Sequence, residues 1–202
     1  MHQRQMLRPY LESNRLEAGC DEVGRGCLCG PVVAAAVILP AQYANALIND
    51  SKKLTKTNRE SLILEIKSNA IAWAVAEASV EEIDTINILH ASFLAMNRAI
   101  EGLIIQPEHL LIDGNRFNTH LPYSYSCVIK GDENFASIAA ASILAKVYRD
   151  HLMAEYAKTY PGYGWESNAG YPTKRHRDGI RTLGLTPIHR KHFKHLPDEI
   201  SL

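Results

Sequence analysis

Residues 15–40 read RLEAGCDEVGRGCLCGPVVAAAVILP, two apolar runs around a glycine-bearing turn that opens on the acids Asp21 and Glu22. The run 15–23 reads as a strand, and 30–40, apolar throughout, reads as a central strand covered on both faces. The short link between them favours an antiparallel hairpin. An acid placed where a buried strand gives way to a turn can hang over the sheet edge. The same placement recurs at Asp113 in LLIDGN (110–115) and at Asp132 in VIKGDEN (128–134). Gathered together, four carboxylates would repel and raise one another's pKa, so a fold tolerates them mainly when divalent cations sit between them. Oxygen donors without a convincing Cys/His set suit Mg²⁺ or Mn²⁺. This implies magnesium-dependent phosphoryl chemistry; two-metal phosphodiester hydrolysis, in which ions ~3.5–4 Å apart serve the attacking water and the leaving oxygen, needs acidic oxygens that converge in this way.

Working outward, 49–70 (NDSKKLTKTNRESLILEIKSNA) reads as a loop and then a helix, with Thr57 or Asn58 as N-cap and Leu62, Ile63 and Ile66 facing inward. The stretch 70–80 (AIAWAVAEASV) suits a third strand that completes an antiparallel meander. From residue 81, Ile86, Leu89, Phe93, Met96, Ile100 and Leu103 recur at helical spacing up to a break at Pro107. Two short strands follow, HLLIDG (109–114) and YSYSCVIKGD (123–132), the second expected to carry Asp132. A long helix over 136–158 then places Ser142, Lys146 and Asp150 at successive i, i+4 steps, on one face beside the presumed site. A last helical stretch near 173–183 and the segment TPIHRKHF (186–193) look like an appendage. The architecture expected is a mixed five-stranded sheet, three antiparallel strands followed by parallel ones, flanked by helices.

The 202 residues suffice for one well-buried α/β domain. With 46% hydrophobic and 22% charged residues the chain is not disordered, and no apolar run reaches the ~18–20 residues of a membrane span. The N-terminus lacks the apolar core of a secretory signal, so the expectation is a cytoplasmic protein with no membrane partner. Four cysteines form neither a disulfide framework nor paired CxxC motifs, and reduced thiols are expected. Net charge is zero, yet 171–202 carry 7 Lys and Arg against 3 Asp and Glu, among four histidines. A basic end on an otherwise acidic chain suggests a polyanionic partner. Within it, His189, His192 and His195 read as basic surface beside nucleic acid rather than as a zinc site.

Taken together, DEVGRG (21–26), GPVVAAAVIL (30–39), NDSKKLT (49–55), INILHASFLAMNRAI (86–100), LIDGNR (111–116), KGD (130–132), SIAAASILAKVYRD (137–150), GYPTKRH (170–176) and TPIHRKHF (186–193) resemble type 2 ribonuclease H, ribonuclease HII, in order and approximate spacing. The resemblance implies a ribonuclease H-like catalytic domain over 1–170, with 171–202 as a basic helical segment packed on it. It also implies cleavage of RNA paired to DNA and incision at ribonucleotides embedded in duplex DNA, leaving 5′-phosphate and 3′-hydroxyl ends, by a monomer. Asp21, Glu22, Asp113 and Asp132 fall on the family's four catalytic, metal-holding acids. Gly24, Arg25 and Gly26 resemble the loop whose backbone reads the ribose 2′-hydroxyl, where glycine lets a backbone come close to a sugar. Tyr171 resembles the tyrosine that stacks on the sugar at an RNA-to-DNA junction. Lys52, Lys53, Ser142 and Lys146 are candidates for phosphate contact.

One departure is visible at Cys27, where the family usually has proline. It implies a looser recognition loop, and an exposed cysteine there, Cys27 or Cys29, would be open to inhibitory oxidation. Two other readings keep part of the pattern. Integrases, transposases and resolvases gather acids on the same sheet to cut DNA, and a non-catalytic module could bind hybrids without turnover.

Overall fold

A computed structural model describes residues 7–43, 48 and 56–196. Five strands, β1 (Glu17–Val23), β2 (Val32–Ile38), β3 (Ala72–Ala78), β4 (His109–Asp113) and β5 (Ser124–Val128), form one sheet in the order β3-β2-β1-β4-β5. β1 pairs antiparallel with β2 and β2 with β3, whereas β1–β4 and β4–β5 are parallel. This is the mixed sheet that the periodicity predicts.

Helices cover both faces of the sheet, α1 (Lys56–Asn69) and α3 (Ala136–Thr159) on one and α2 (Val80–Glu101) on the other, while α4 (Trp165–Asn168) and α5 (Lys174–Leu183) contribute to a separate apolar cluster. Alternate residues of the central strands divide between two cores. Ala18, Cys20, Ala34, Ala36, Leu110 and Ile112 pack with α2, while Val33, Ala35 and Val37 pack with α1 and α3. β2 is therefore buried at every position, which is why it reads as a continuous apolar run. Contact between β1 and α3 is tighter than side chains alone would permit. A Cβ on Gly19 would stand 2.3 Å from the Ile138 backbone nitrogen, so only glycine lets α3 lie on the sheet here.

Several local expectations are corrected. α1 already includes Lys56, so Thr57 and Asn58 lie in its first turn and are not its N-cap. α2 ends at Glu101 with Gly102 as its C-cap, well before Pro107. Inside it, Asn87 adopts φ 66° and its side chain accepts the backbone N–H groups of Leu89 and His90, restarting the helix with a new phase. Ile83, rather than Ile86, therefore joins the core, followed by Ala91, Ala95, Met96 and Ile100. β5 ends at Val128, and Asp132 sits in a separate 3-10 turn, Gly131–Glu133, entered through Lys130 in the left-handed region. Among the described residues, no helix is long and apolar enough to cross a membrane.

Candidate active site

Parity along the strands aims the acids. In β1, Gly19 and Asp21 face α3, and in β4 the same face carries Leu111 and Asp113. Asp132 arrives from the 3-10 turn, which is docked on β4 because the Gly131 N–H donates to Asp113 Oδ1 at 2.7 Å. The four acids converge on a cleft of about 390 Å³ that is also lined by Ser142, Lys146, Tyr171 and Arg59. Ser142 is hydrogen-bonded to Asp21, and Asp21 Oδ1 accepts the Glu22 N–H at 2.7 Å. A second groove of about 280 Å³ adjoins it, shares Glu22 and Asp113, and runs between α2 and Arg25, Asn115 and Arg116.

Electrostatics make the cluster costly as it stands. Burial pushes the Asp21 carboxyl well above the usual carboxylate range, and the charges of Glu22 and Asp113 push it further. Burial also raises Glu22, against the opposing pull of Arg25, whose guanidinium lies 3.1 Å from Glu22 Oε1. A crowded donor set made only of oxygens fits divalent cations.

The loop 24–31 beside this cleft is held from below by two buried guanidiniums. Arg190 donates to the carbonyls of Gly24 (2.7 Å), Arg25 (3.0 Å) and Gly30 (2.9 Å), and Arg149 donates to those of Pro31 (2.9 Å), Cys29 (3.0 Å) and Ala169 (2.7 Å). With the carbonyls engaged, the loop keeps one shape, and Arg25 and Gly26 remain exposed. Sequence reasoning missed both arginines, although each sits in a quoted motif. Burial of Arg is rare unless many acceptors converge, and nothing local shows those acceptors.

Lys52 and Lys53 lie outside the described residues. The cysteine expectation is overturned: Cys27 and Cys29 are fully buried, so neither is the exposed thiol that oxidation would need, and all four cysteines are free. Burial pushes Cys29 up to about 12.

The histidines are also corrected. His176, His189 and His195 are buried, and of the expected surface series only His192 is exposed. Cys29, His176 and His189 form a cluster with metal-like spacing, Cys29 Sγ lying 3.9 Å and His189 Nε2 lying 3.2 Å from His176 Nε2. Their hydrogen bonds argue against a metal. His189 Nδ1 accepts the Thr186 N–H at 2.9 Å, so its Nε2 carries the proton. His176 Nε2 accepts from Trp165 Nε1 at 2.9 Å, while its Nδ1 faces the Tyr171 carbonyl at 3.0 Å. The lone pairs a metal would need are committed, and the cluster is a neutral network that ties α4 and α5 to the 186–190 segment.

Comparison with known proteins agrees with this geometry. The family model for ribonuclease HII matches residues 18–196. The chain is 59% identical to a ribonuclease HII of Parabacteroides distasonis over 98% of this chain and 99% of that one, and 57% identical to one of Bacteroides thetaiotaomicron over 96% of each. Among solved structures it is similar to ribonuclease H2 of Pyrococcus horikoshii, with a TM-score of 0.74 and 25% identity over 89% of this chain and 94% of that one. Sheet order, matched length and identity lead to one conclusion: the chain belongs to the ribonuclease HII family.

Proposed function

We propose that this metal-dependent endoribonuclease hydrolyses the RNA strand of RNA/DNA hybrids and incises on the 5′ side of ribonucleotides embedded in duplex DNA. One observation carries the reading: the cleft lined by Asp21, Glu22, Asp113 and Asp132 lies beside the exposed Arg25 and Gly26, in a loop whose Gly24 and Arg25 carbonyls are engaged underneath by Arg190. Two Mg²⁺ or Mn²⁺ ions held by the four acids would supply Lewis-acid polarisation of the scissile phosphate and a more acidic water. The chain's own residues do the rest. Gly24, Arg25 and Gly26 present backbone to the ribose, and a 2′-hydroxyl supplies the donor and acceptor that deoxyribose lacks. Tyr171, partly exposed at the cleft, offers its ring to the neighbouring sugar, and Ser142 and Lys146 meet phosphate oxygens. Residues 171–196 complete the site rather than hang from it, since Tyr171 lines the cleft and Arg190 holds its loop. The protein acts as a monomer in this reading.

The test is cleavage of an end-labelled duplex carrying one ribonucleotide, beside an all-DNA duplex, with Mg²⁺, Mn²⁺ or chelator. Metal-dependent incision 5′ of the ribonucleotide, absent from the all-DNA duplex and from Asp113→Asn, is expected. Cutting of both duplexes would indicate a resolvase-like nuclease, and tight hybrid binding without cutting would indicate a binding module.

A further inference from the structure

Two cations face the four acids across the cleft, Lys146 from α3 and Arg59 from α1. One carboxylate outside the acid set engages both. Asp150, one turn beyond Lys146 on α3, accepts the Lys146 ammonium on both oxygens, at 2.5 and 2.6 Å, and its Oδ2 lies 3.9 Å from an Arg59 guanidinium nitrogen. Asp150 does not line the cleft; it stands behind the cations, about three-quarters shielded from solvent. We infer that Asp150 is a positioning residue that keeps the Lys146 ammonium on the phosphate side of the cleft and out of the metal-holding carboxylates.

The argument is electrostatic competition. A lysine side chain is a flexible stem carrying a compact charge. Lys146 lines the same cleft as Asp21, Glu22, Asp113 and Asp132, and these oxygens would attract an ammonium as they attract a divalent ion. A carboxylate at i+4 that accepts the ammonium on both oxygens holds it toward the next turn of α3. The same carboxylate lies 3.9 Å from an Arg59 guanidinium nitrogen, so one acid draws cations from both α1 and α3. Losing Asp150 leaves Lys146 free to swing onto the acids. There it blocks metal and no longer meets phosphate. This inference rests on the ribonuclease reading only for the identity of the phosphodiester; the metal competition stands without it.

The test is calorimetric titration of the protein with Mn²⁺, without nucleic acid, in the wild type, Asp150→Asn, Lys146→Met and the double variant. Asp150→Asn should weaken Mn²⁺ binding by about threefold to tenfold, the scale of one added charge at partly screened distance. Lys146→Met and the double variant should bind Mn²⁺ like the wild type, because the competing ammonium is gone. Equal weakening by Asp150→Asn in both backgrounds would show a merely structural role and overturn the inference, as would no weakening at all. Should Asp150→Asn melt too low to titrate, Lys146→Met alone decides: binding tenfold tighter than the wild type would mean that Lys146 already occupies the acids. On substrate, Asp150→Asn and Lys146→Met should both raise KM, and Asp150→Glu should restore both KM and Mn²⁺ affinity in part. Hybrid cleavage by the wild type, run alongside, judges the ribonuclease reading separately, since its failure would leave the Mn²⁺ comparison intact.

Discussion

The Arg190 guanidinium donates to the Gly24 carbonyl at 2.7 Å, joining positions 166 residues apart and fastening the C-terminal segment beneath the loop that borders the acid cleft. Arg190 also serves Arg25 and Gly30, and burial together with Arg149 lowers its pKa to about 10. A lysine carries the charge but cannot reproduce the fork. Arg190→Lys should therefore cost on the order of 3 kcal/mol of stability by leaving buried carbonyls unpaired. It should also lower cleavage at an embedded ribonucleotide more than it weakens overall duplex binding. Thermal melts and paired cleavage and binding assays check this, and an unchanged melt would refute it.

Asp21 should destabilise the metal-free protein that it equips for catalysis. Its folded pKa is raised, so near neutral pH the folded state resists an ionisation that the unfolded state completes freely. For such an acid, stability falls as pH rises from the ordinary value of 3.8 through the folded pKa, and it stays low above that. Asp21→Asn should then raise the melting temperature in chelator by roughly 2–5 °C while abolishing cleavage. Mn²⁺ should raise the wild-type melt and leave the variant's nearly unmoved. A lower melt for Asp21→Asn in chelator would contradict this reading of the cluster.

The buried imidazoles give the opposite sign at acid pH. Burial and its histidine neighbours lower His189 from 6.5 to about 4, so below pH 6.5 the unfolded chain takes up a proton that the folded chain refuses. Stability from this group is present above pH 6.5 and is lost between there and about pH 4, on the order of 2–3 kcal/mol. Urea melts across that range should show the loss, and His189→Gln should flatten it. Because Trp165 donates to His176 in the same network, its fluorescence should report the opening.

How much of this was legible follows physical lines. The mixed sheet and its long helices were readable because β2 is buried on both faces and α3 runs long without a breaker. The four acids were readable because each marks the end of a run or the turn after it. What escaped depended on contacts distant in sequence. Arg149 and Arg190 look like any surface cation until the carbonyls of residues 24–31 are seen to gather around them. His176 and His189 look solvent-facing amid lysines and arginines, because nothing local reveals that Trp165 folds over them. Asn87 escaped because a capping side chain inside a helical pattern changes phase without breaking the run of apolar residues.

The two glycines of GRG should separate scaffold from recognition. Gly24 has φ +97°, and a Cβ there would lie 2.3 Å from Arg149 Nε, a group anchored by three carbonyls and unable to yield. Gly24→Ala should therefore destabilise the protein by roughly 2–4 kcal/mol through left-handed strain and a displaced guanidinium. Gly26 differs, since a Cβ there meets nothing within 4 Å. In the proposed function that open space is where the ribose approaches, so a methyl group would obstruct the sugar without disturbing the fold. Gly26→Ala should melt like the wild type, yet cleave an embedded ribonucleotide at least about tenfold more slowly, a loss near 1.4 kcal/mol of transition-state stabilisation. If Gly26→Ala instead cleaves normally, the 2′-hydroxyl is read elsewhere. If it melts as low as Gly24→Ala, the space beside Gly26 serves the fold.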